Sequence, residues 1–262
     1  MSKLRQWLLE PKVKDIDVDD NRLLELHSEI LQEKRLLQSA FLTFYNDLSA
    51  LCDEHFQIDG LELELGSGAG FFRKVRNNVI TSDIRKSQNI DMVLNAQEME
   101  LPNNSVRCFY AINVFHHLSM PNLFFHELIR TVKKGGGCIL IEPHNGLFSA
   151  WLHKRLHHDE HFNTRANWET EIGGPLSGAN QALAHIVFER DLKIFHEKYG
   201  SSLELVKTQY ELNAFRYLLS GGLNFRQLVP SFLDASISRI ERAMKPFSRY
   251  WSLHQAIVIK RQ

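Results

Sequence analysis

The sequence predicts an α/β fold, a largely parallel sheet with helices on both faces. Three observations carry this expectation. A strand-like apolar run at residues 61–65 ends in a glycine-rich turn, Gly66-Ser67-Gly68-Ala69-Gly70, that opens towards a helix. Strand-like and helix-like stretches then alternate through short connections as far as Glu142, the pattern that builds parallel sheets. Two later strand-like runs, 202–210 and 254–260, read as an antiparallel pair that closes the sheet.

From Arg22 to about Leu51, apolar residues recur at helical spacing, among them Leu23, Leu24, Ile30, Leu31, Leu36, Leu37, Phe41, Phe44 and Leu48. This spacing predicts one long or two short amphipathic helices packed on the domain that follows. Residues 61–65 are the first strand. Residues 78–83 are the second, β-branched and ending on Asp83; 90–94, 107–114 and 138–142 are the third, fourth and fifth. Residues 121–134 read as a helix, with Pro121 at its start and Gly135-Gly136-Gly137 as its stop. Ligands of such sheets bind beyond the carboxyl ends of the strands, near the point where strand order reverses. Residues 145–200 then turn helical and polar, interrupted by an irregular segment at 173–178, and 211–250 is a second mainly helical stretch. Both read as insertions over the carboxyl edge. The expected organisation is an N-terminal helical segment (1–56), a ligand-binding core (57–144), a helical lid (145–200) and a C-terminal part (201–262) whose closing strands flank the second insertion.

A chain of 262 residues can bury a sizeable core, as one α/β domain with an insertion or as two small domains. Its 31 basic and 31 acidic residues balance, so it lacks the charge footprint of a protein that grips nucleic-acid phosphates. Cys52, Cys108 and Cys138 are scattered, two of them in apolar strand-like runs, and read as buried small hydrophobes in a reducing compartment. The N-terminus lacks the apolar core of a signal peptide, and no stretch reaches the roughly 20 apolar residues of a membrane span. The expected location is the cytoplasm.

Glycines at alternate positions of the turn let backbone N–H groups approach a ligand closely, and the helix start beyond favours a carboxylate or phosphate. The spacing is not that of a dinucleotide site: G-x-G-x-x-G would need glycine where Phe71 stands. Glu64, just before the turn, would repel a pyrophosphate but accept from an ammonium. An amino-acid-like tail therefore suits the loop better than NAD does, and a nicotinamide-dependent oxidoreductase is the disfavoured competitor.

Together, several segments resemble the class I S-adenosylmethionine-dependent methyltransferases, of the small-molecule, methyltransferase type 11-like kind. They are Glu64-Leu-Gly66-Ser-Gly68-Ala-Gly70, Ser82-Asp83-Ile84, Asn95-Ala96 followed by Leu101-Pro102, Asn113-Val-Phe-His116-His117-Leu118, and Arg130-Thr-Val-Lys-Lys-Gly135-Gly136-Gly137. The resemblance runs from about Leu61 to Pro143. It implies a Rossmann-like fold with a seven-stranded, mostly parallel sheet and helical lid insertions, and S-adenosyl-L-methionine as methyl donor, leaving S-adenosyl-L-homocysteine. It also implies roles. Gly66, Ser67, Gly68 and Gly70 would hold the methionine carboxylate, with Glu64 organising the loop or accepting from the ammonium. Asp83 would accept the ribose hydroxyls, with Ile84 beside it, and Asn95 and Ala96 would meet the adenine. Asn113 and His116 would complete the cofactor pocket. The family's usual aspartate is Asn95 here, and its Phe-Asp opening to the fourth strand is Val106-Arg107, a departure that touches strand packing more than the ligand.

Methyl transfer from a sulfonium is an in-line displacement, so holding acceptor and methyl in line in a dry site supplies much of the acceleration. A hydroxyl acceptor must also lose its proton, and His117, His144 and Glu142 are the candidate bases at the methyl-transfer face. His153, His157 and His161 fall at i, i+4, i+8, yet so wide a spread with basic neighbours reads as a polar lid helix, and no metal is expected. The expected function is methyl transfer to a small or medium-sized acceptor, with oxygen favoured; a homodimer is left open. The competing reading is a non-catalytic S-adenosylmethionine-binding protein, a regulator or silent partner subunit.

Overall fold

The computed structural model describes residues 3–17, 20, 22–68, 71–88, 90–156, 161–169 and 179–262. Its strands are β1 (Leu61–Leu65), β2 (Ile80–Asp83), β3 (Met92–Val93), β4 (Val106–Ile112), β5 (Val132–Pro143), β6 (Leu203–Tyr210) and β7 (His254–Arg261). They form one sheet in the order β3-β2-β1-β4-β5-β7-β6. The first five pair in parallel, and β7 runs antiparallel between β5 and β6. Strand order reverses between β1 and β4, so their carboxyl ends flank the crevice where such sheets take ligands.

Alternation along the strands sends side chains to two cores. Cys108, Tyr110, Ile139 and Ile141 face Phe44, Tyr45, Leu48 and Phe56 of the Arg35–His55 helix and its end. Phe109, Ala111, Cys138 and Leu140 face Phe124, Phe125 and Leu128 of the Pro121–Thr131 helix, with Phe188 and Phe195 from later in the chain. Each such large apolar side chain contributes roughly 1.5–3 kcal/mol by leaving water. The three cysteines are free and buried. Among the described residues no helix is long and apolar enough to cross a membrane.

Of the two forms expected for the N-terminal apolar stripe, the structure has two helices, Arg22–Glu33 and Arg35–His55, broken at Lys34. Lys34 Nζ donates to the Gly222 and Phe225 carbonyls and lies 3.1 Å from Glu10 Oε2, a tertiary anchor that spacing alone does not reveal. The helix expected to reach residue 134 ends at Thr131, and β5 begins at Val132. Gly135-Gly136-Gly137 is thus not a helix stop but part of β5 under crowding: a Cβ on Gly136 would strike the Arg107 carbonyl, and one on Gly137 the Ile259 carbonyl and the Phe56 ring.

Candidate active site

The turn after β1 has Gly66 at φ 60° and Gly68 at φ 50°, left-handed conformations that favour glycine. A Cβ on Gly66 would lie 2.5 Å from Val114 Cγ2, so the turn also needs the bare backbone to pass the end of β4. Two serines lace it to β2. Ser67 N–H donates to the Ser82 carbonyl (2.8 Å) and Ser82 N–H to Ser67 Oγ (3.0 Å), while both hydroxyls donate to the Glu64 carbonyl. Asp83, buried at the end of β2, accepts from Gly68 N–H on Oδ2 (3.2 Å) and from Arg85 N–H on Oδ1 (3.0 Å). Backbone donors thereby fix the carboxylate while each oxygen keeps accepting capacity. Gly70 lies outside the described residues.

Glu64 is 2% exposed and its Oε2 is buried with no hydrogen-bond partner. Burial raises its pKa to about 8; Ser67 and Tyr45 beside it pull the other way, and the charge of Asp83 adds to the rise. A buried carboxyl with an unfilled oxygen, set beside a glycine turn, fits a ligand that brings an ammonium. Past β2, Ile84 offers a half-exposed apolar side chain. Past β3, Ala96 is buried, and Asn95 Oδ1 accepts from Gln97 N–H at 3.0 Å, which fixes the amide and leaves its NH2 and one lone pair for a ligand.

The ends of β4 and β5 build the opposite wall. Asn113 sits at φ 57°, with its Oδ1 buried and without a hydrogen-bond partner. Glu142, fully buried, accepts from Val114 N–H (2.9 Å) and Phe115 N–H (2.7 Å) on Oε1, and its Oε2 is 2.6 Å from His116 Nδ1. The His117 ring lies against His116 with centroids 4.3 Å apart and planes tilted by 37°. Burial, with His116 and Arg85 adding their charge, holds the His117 imidazole well below its ordinary pKa and so neutral.

Two of the three expected bases are engaged otherwise. Glu142 has both oxygens committed to the β4 turn and to His116, with no open face for an acceptor. His144 is buried with Nδ1 3.2 Å from Gln255 Oε1 and Nε2 3.1 Å from the Arg249 carbonyl, so neither nitrogen has a lone pair aimed at a ligand. Both geometries come from contacts across the sheet edge that residue type does not foretell. Of the histidine cluster, His157 and the side chain of His153 lie outside the described residues; among the described residues no group of acids, histidines or cysteines is arranged to hold a metal.

Sequence reasoning missed three participants. Tyr45, outside the apolar spacing of its helix, stands against Glu64. Arg85 was passed over beyond the end of β2. A polar chain runs from Gln255 Nε2 to Glu189 Oε1 (3.1 Å), from Glu189 Oε2 to His185 Nδ1 (3.0 Å) and from His185 Nε2 to Asn145 Nδ2 (3.1 Å). Glu189 belongs to a π-helical stretch, Ile186–Arg190, a form that recurs at functional sites. Nothing in the sequence joins these residues, which are drawn from three separate segments.

A methyltransferase-domain family profile matches residues 63–140. No curated protein sequence matches the chain. Solved structures with a similar fold include a putative sarcosine dimethylglycine methyltransferase from Galdieria sulphuraria (13% identity, 86% of this chain and 87% of that one, TM-score 0.45). A SAM-dependent methyltransferase from Archaeoglobus fulgidus is also similar (14% identity, 84% and 93%, TM-score 0.45). So is a structure of the Haloferax volcanii Trm112 methyltransferase activator in complex with a putative methyltransferase (11% identity, 94% and 97%, TM-score 0.48). Likenesses this distant do not bear on the acceptor. The profile match falls on the strands that carry the glycine turn, Asp83, Asn95 and the His116-His117 pair, so residues 63–140 are similar to a methyltransferase domain.

Proposed function

We propose that the enzyme transfers a methyl group to a small or medium-sized acceptor, at oxygen, in a site roofed by the lid. The carrying observation is the unfilled Glu64 oxygen set beside the glycine turn and the backbone-held Asp83. When bound, the cofactor supplies an activated methyl on a sulfonium. In this reading the N–H groups of the turn take its carboxylate, Glu64 its ammonium and Asp83 the ribose hydroxyls, while Asn95, Ala96 and Ile84 border the adenine.

In this reading His117 is the base for the acceptor. Its neutral ring can take a proton, and its lowered basicity suits an acceptor hydroxyl that is itself acidic. Glu142 acts as a positioning residue: by holding the Val114 and Phe115 N–H groups and His116, it fixes the turn that presents His117. Three buried free cysteines accord with a reducing, cytoplasmic setting.

Calorimetry tests the assignment. S-adenosylhomocysteine should bind and NAD should not, and Asp83→Ala should weaken the former by on the order of 10- to 100-fold, the worth of one or two charge-assisted hydrogen bonds. Binding of NAD alone, or unchanged affinity in the variant, would refute it. His117→Gln should leave binding intact and slow transfer; an unchanged rate removes the base role.

A further inference from the structure

Arg85 stands two residues beyond β2, with a side chain only 10% exposed. Its Nε and Nη1 are buried and have no hydrogen-bond partner. The nearest carboxylate oxygen, Asp83 Oδ1, is 3.8 Å away from Nε, beyond hydrogen-bond reach, and already accepts the Arg85 backbone N–H.

This is unlike the treatment of comparable arginines elsewhere in the molecule. Arg76 and Arg107 share Glu62 and Asp53 at the amino end of the sheet, and Arg216 Nε donates to Glu241 at 2.6 Å. Guanidinium stays charged at any physiological pH, and a buried charged donor without an acceptor costs on the order of 1–3 kcal/mol or more. Such a cost is relieved when an anion arrives.

Among the described residues, Asp83 is the carboxylate within 4 Å of the guanidinium. His117, from the end of β4, and His27, from the Arg22–Glu33 helix, are both depressed by burial and further by the charge of Arg85, His27 to about 4. His27 Nε2 lies 3.1 Å from Asn224 Oδ1, which ties the N-terminal helix to the loop after Gly222. The ends of β2 and β4 and the N-terminal helix thus bring two neutral imidazoles within the field of one cation, on the side of the sheet where the methyl acceptor is proposed to enter.

We infer that Arg85 receives an oxyanion carried by the methyl acceptor, a carboxylate or a phosphate. The inference rests on the methyltransferase reading for the identity of the ligand, but not for the anion site itself. An anion against Arg85 meets two donors fixed by burial, and it sits within the same field that keeps His117 neutral. One oxyanion would thereby anchor the acceptor and bring its reacting atom to the base.

The test is titration of inorganic phosphate, and separately of acetate, into protein saturated with S-adenosylhomocysteine at constant ionic strength. Calorimetry and the imidazole NMR signals of His27 and His117 report binding. At least one anion should bind saturably and move both ring signals, and which one binds separates phosphate from carboxylate recognition. Arg85→Gln should weaken that binding by about tenfold or more, while S-adenosylhomocysteine affinity stays within about threefold. Arg85→Lys, which keeps the charge, should fall between and serves if the glutamine variant does not fold. Absence of saturable anion binding, or equal binding by Arg85→Gln, overturns the inference. A loss of S-adenosylhomocysteine affinity as severe as in Asp83→Ala would assign the guanidinium to the cofactor and also overturn it. Failure of the wild type to bind S-adenosylhomocysteine sinks the methyl-donor reading instead, and anion titration of the free protein still reports on Arg85.

Discussion

Cofactor binding should drive a proton off Glu64. The carboxyl is buried, Oε2 has no hydrogen-bond partner, and its pKa stands at about 8. At pH 7 roughly nine molecules in ten therefore hold it protonated. Pairing with an ammonium requires the carboxylate, so S-adenosylhomocysteine should release about 0.9 proton per site at pH 7, and its affinity should climb nearly tenfold per unit between about pH 6 and 7.5, levelling above about pH 8. The free protein should show the opposite slope. Because the folded pKa lies above the ordinary 4.5, the native state keeps a proton that the unfolded chain has lost. The group's contribution to stability is full below about pH 4.5 and is lost as pH rises through about 8, on the order of 5 kcal/mol in all. Calorimetry in buffers of different ionisation heat counts the released protons, and melting across that pH range follows the stability. Glu64→Gln should bind without proton release and flatten both pH dependences. No proton release by the wild type, or equal release by Glu64→Gln, would refute the assignment of Glu64 to the ammonium.

Gly66→Ala should lower stability by about 1–3 kcal/mol, from the left-handed φ of 60° and the approach to Val114, as read by urea melts. Adding Val114→Ala should relieve the contact but not the backbone strain; full recovery would show that φ costs nothing. Glu142→Ala should cost roughly 2–4 kcal/mol by stranding the Val114 and Phe115 N–H groups, while Glu142→Gln, which keeps an acceptor for them, should cost clearly less. Equal losses would deny the bracing role. Glu62→Ala should remove the shared acceptor of Arg76, Arg107 and Tyr110 at a cost of about 3–5 kcal/mol, yet leave S-adenosylhomocysteine affinity unchanged, because the cluster lies at the amino end of β1. A matching fall in affinity would contradict that separation.

The parallel core was legible because its signals are local. Strand-length apolar runs, β-branched residues leading to Asp83 and proline at the start of the Pro121–Thr131 helix are each read within a few residues. The glycine turn was legible for the same reason, since φ values of 60° and 50° and an approach to Val114 leave little besides glycine at those positions. The triple glycine misled because glycine serves two ends: it stops helices, and it lets backbones crowd. Only the positions of Phe56, Arg107 and Ile259 distinguish the two. Likewise a histidine or glutamate at a strand end advertises proton chemistry, but whether Glu142 and His144 keep a free lone pair depends on partners 26 and 111 residues away.

By itself the sequence determined the strand–helix alternation, the glycine turn and the residues at the carboxyl ends of the strands, whose resemblance to a known family implied the methyl donor. These follow from backbone propensity and from motifs confined to one turn or strand. Tertiary structure alone decided which of those side chains have unmet valence. Glu64 and Arg85 are left with buried, unfilled polar atoms, whereas Glu142 and His144 are committed. Burial and hydrogen-bond completion depend on what the rest of the chain brings alongside, a sum over distant segments that no local pattern encodes.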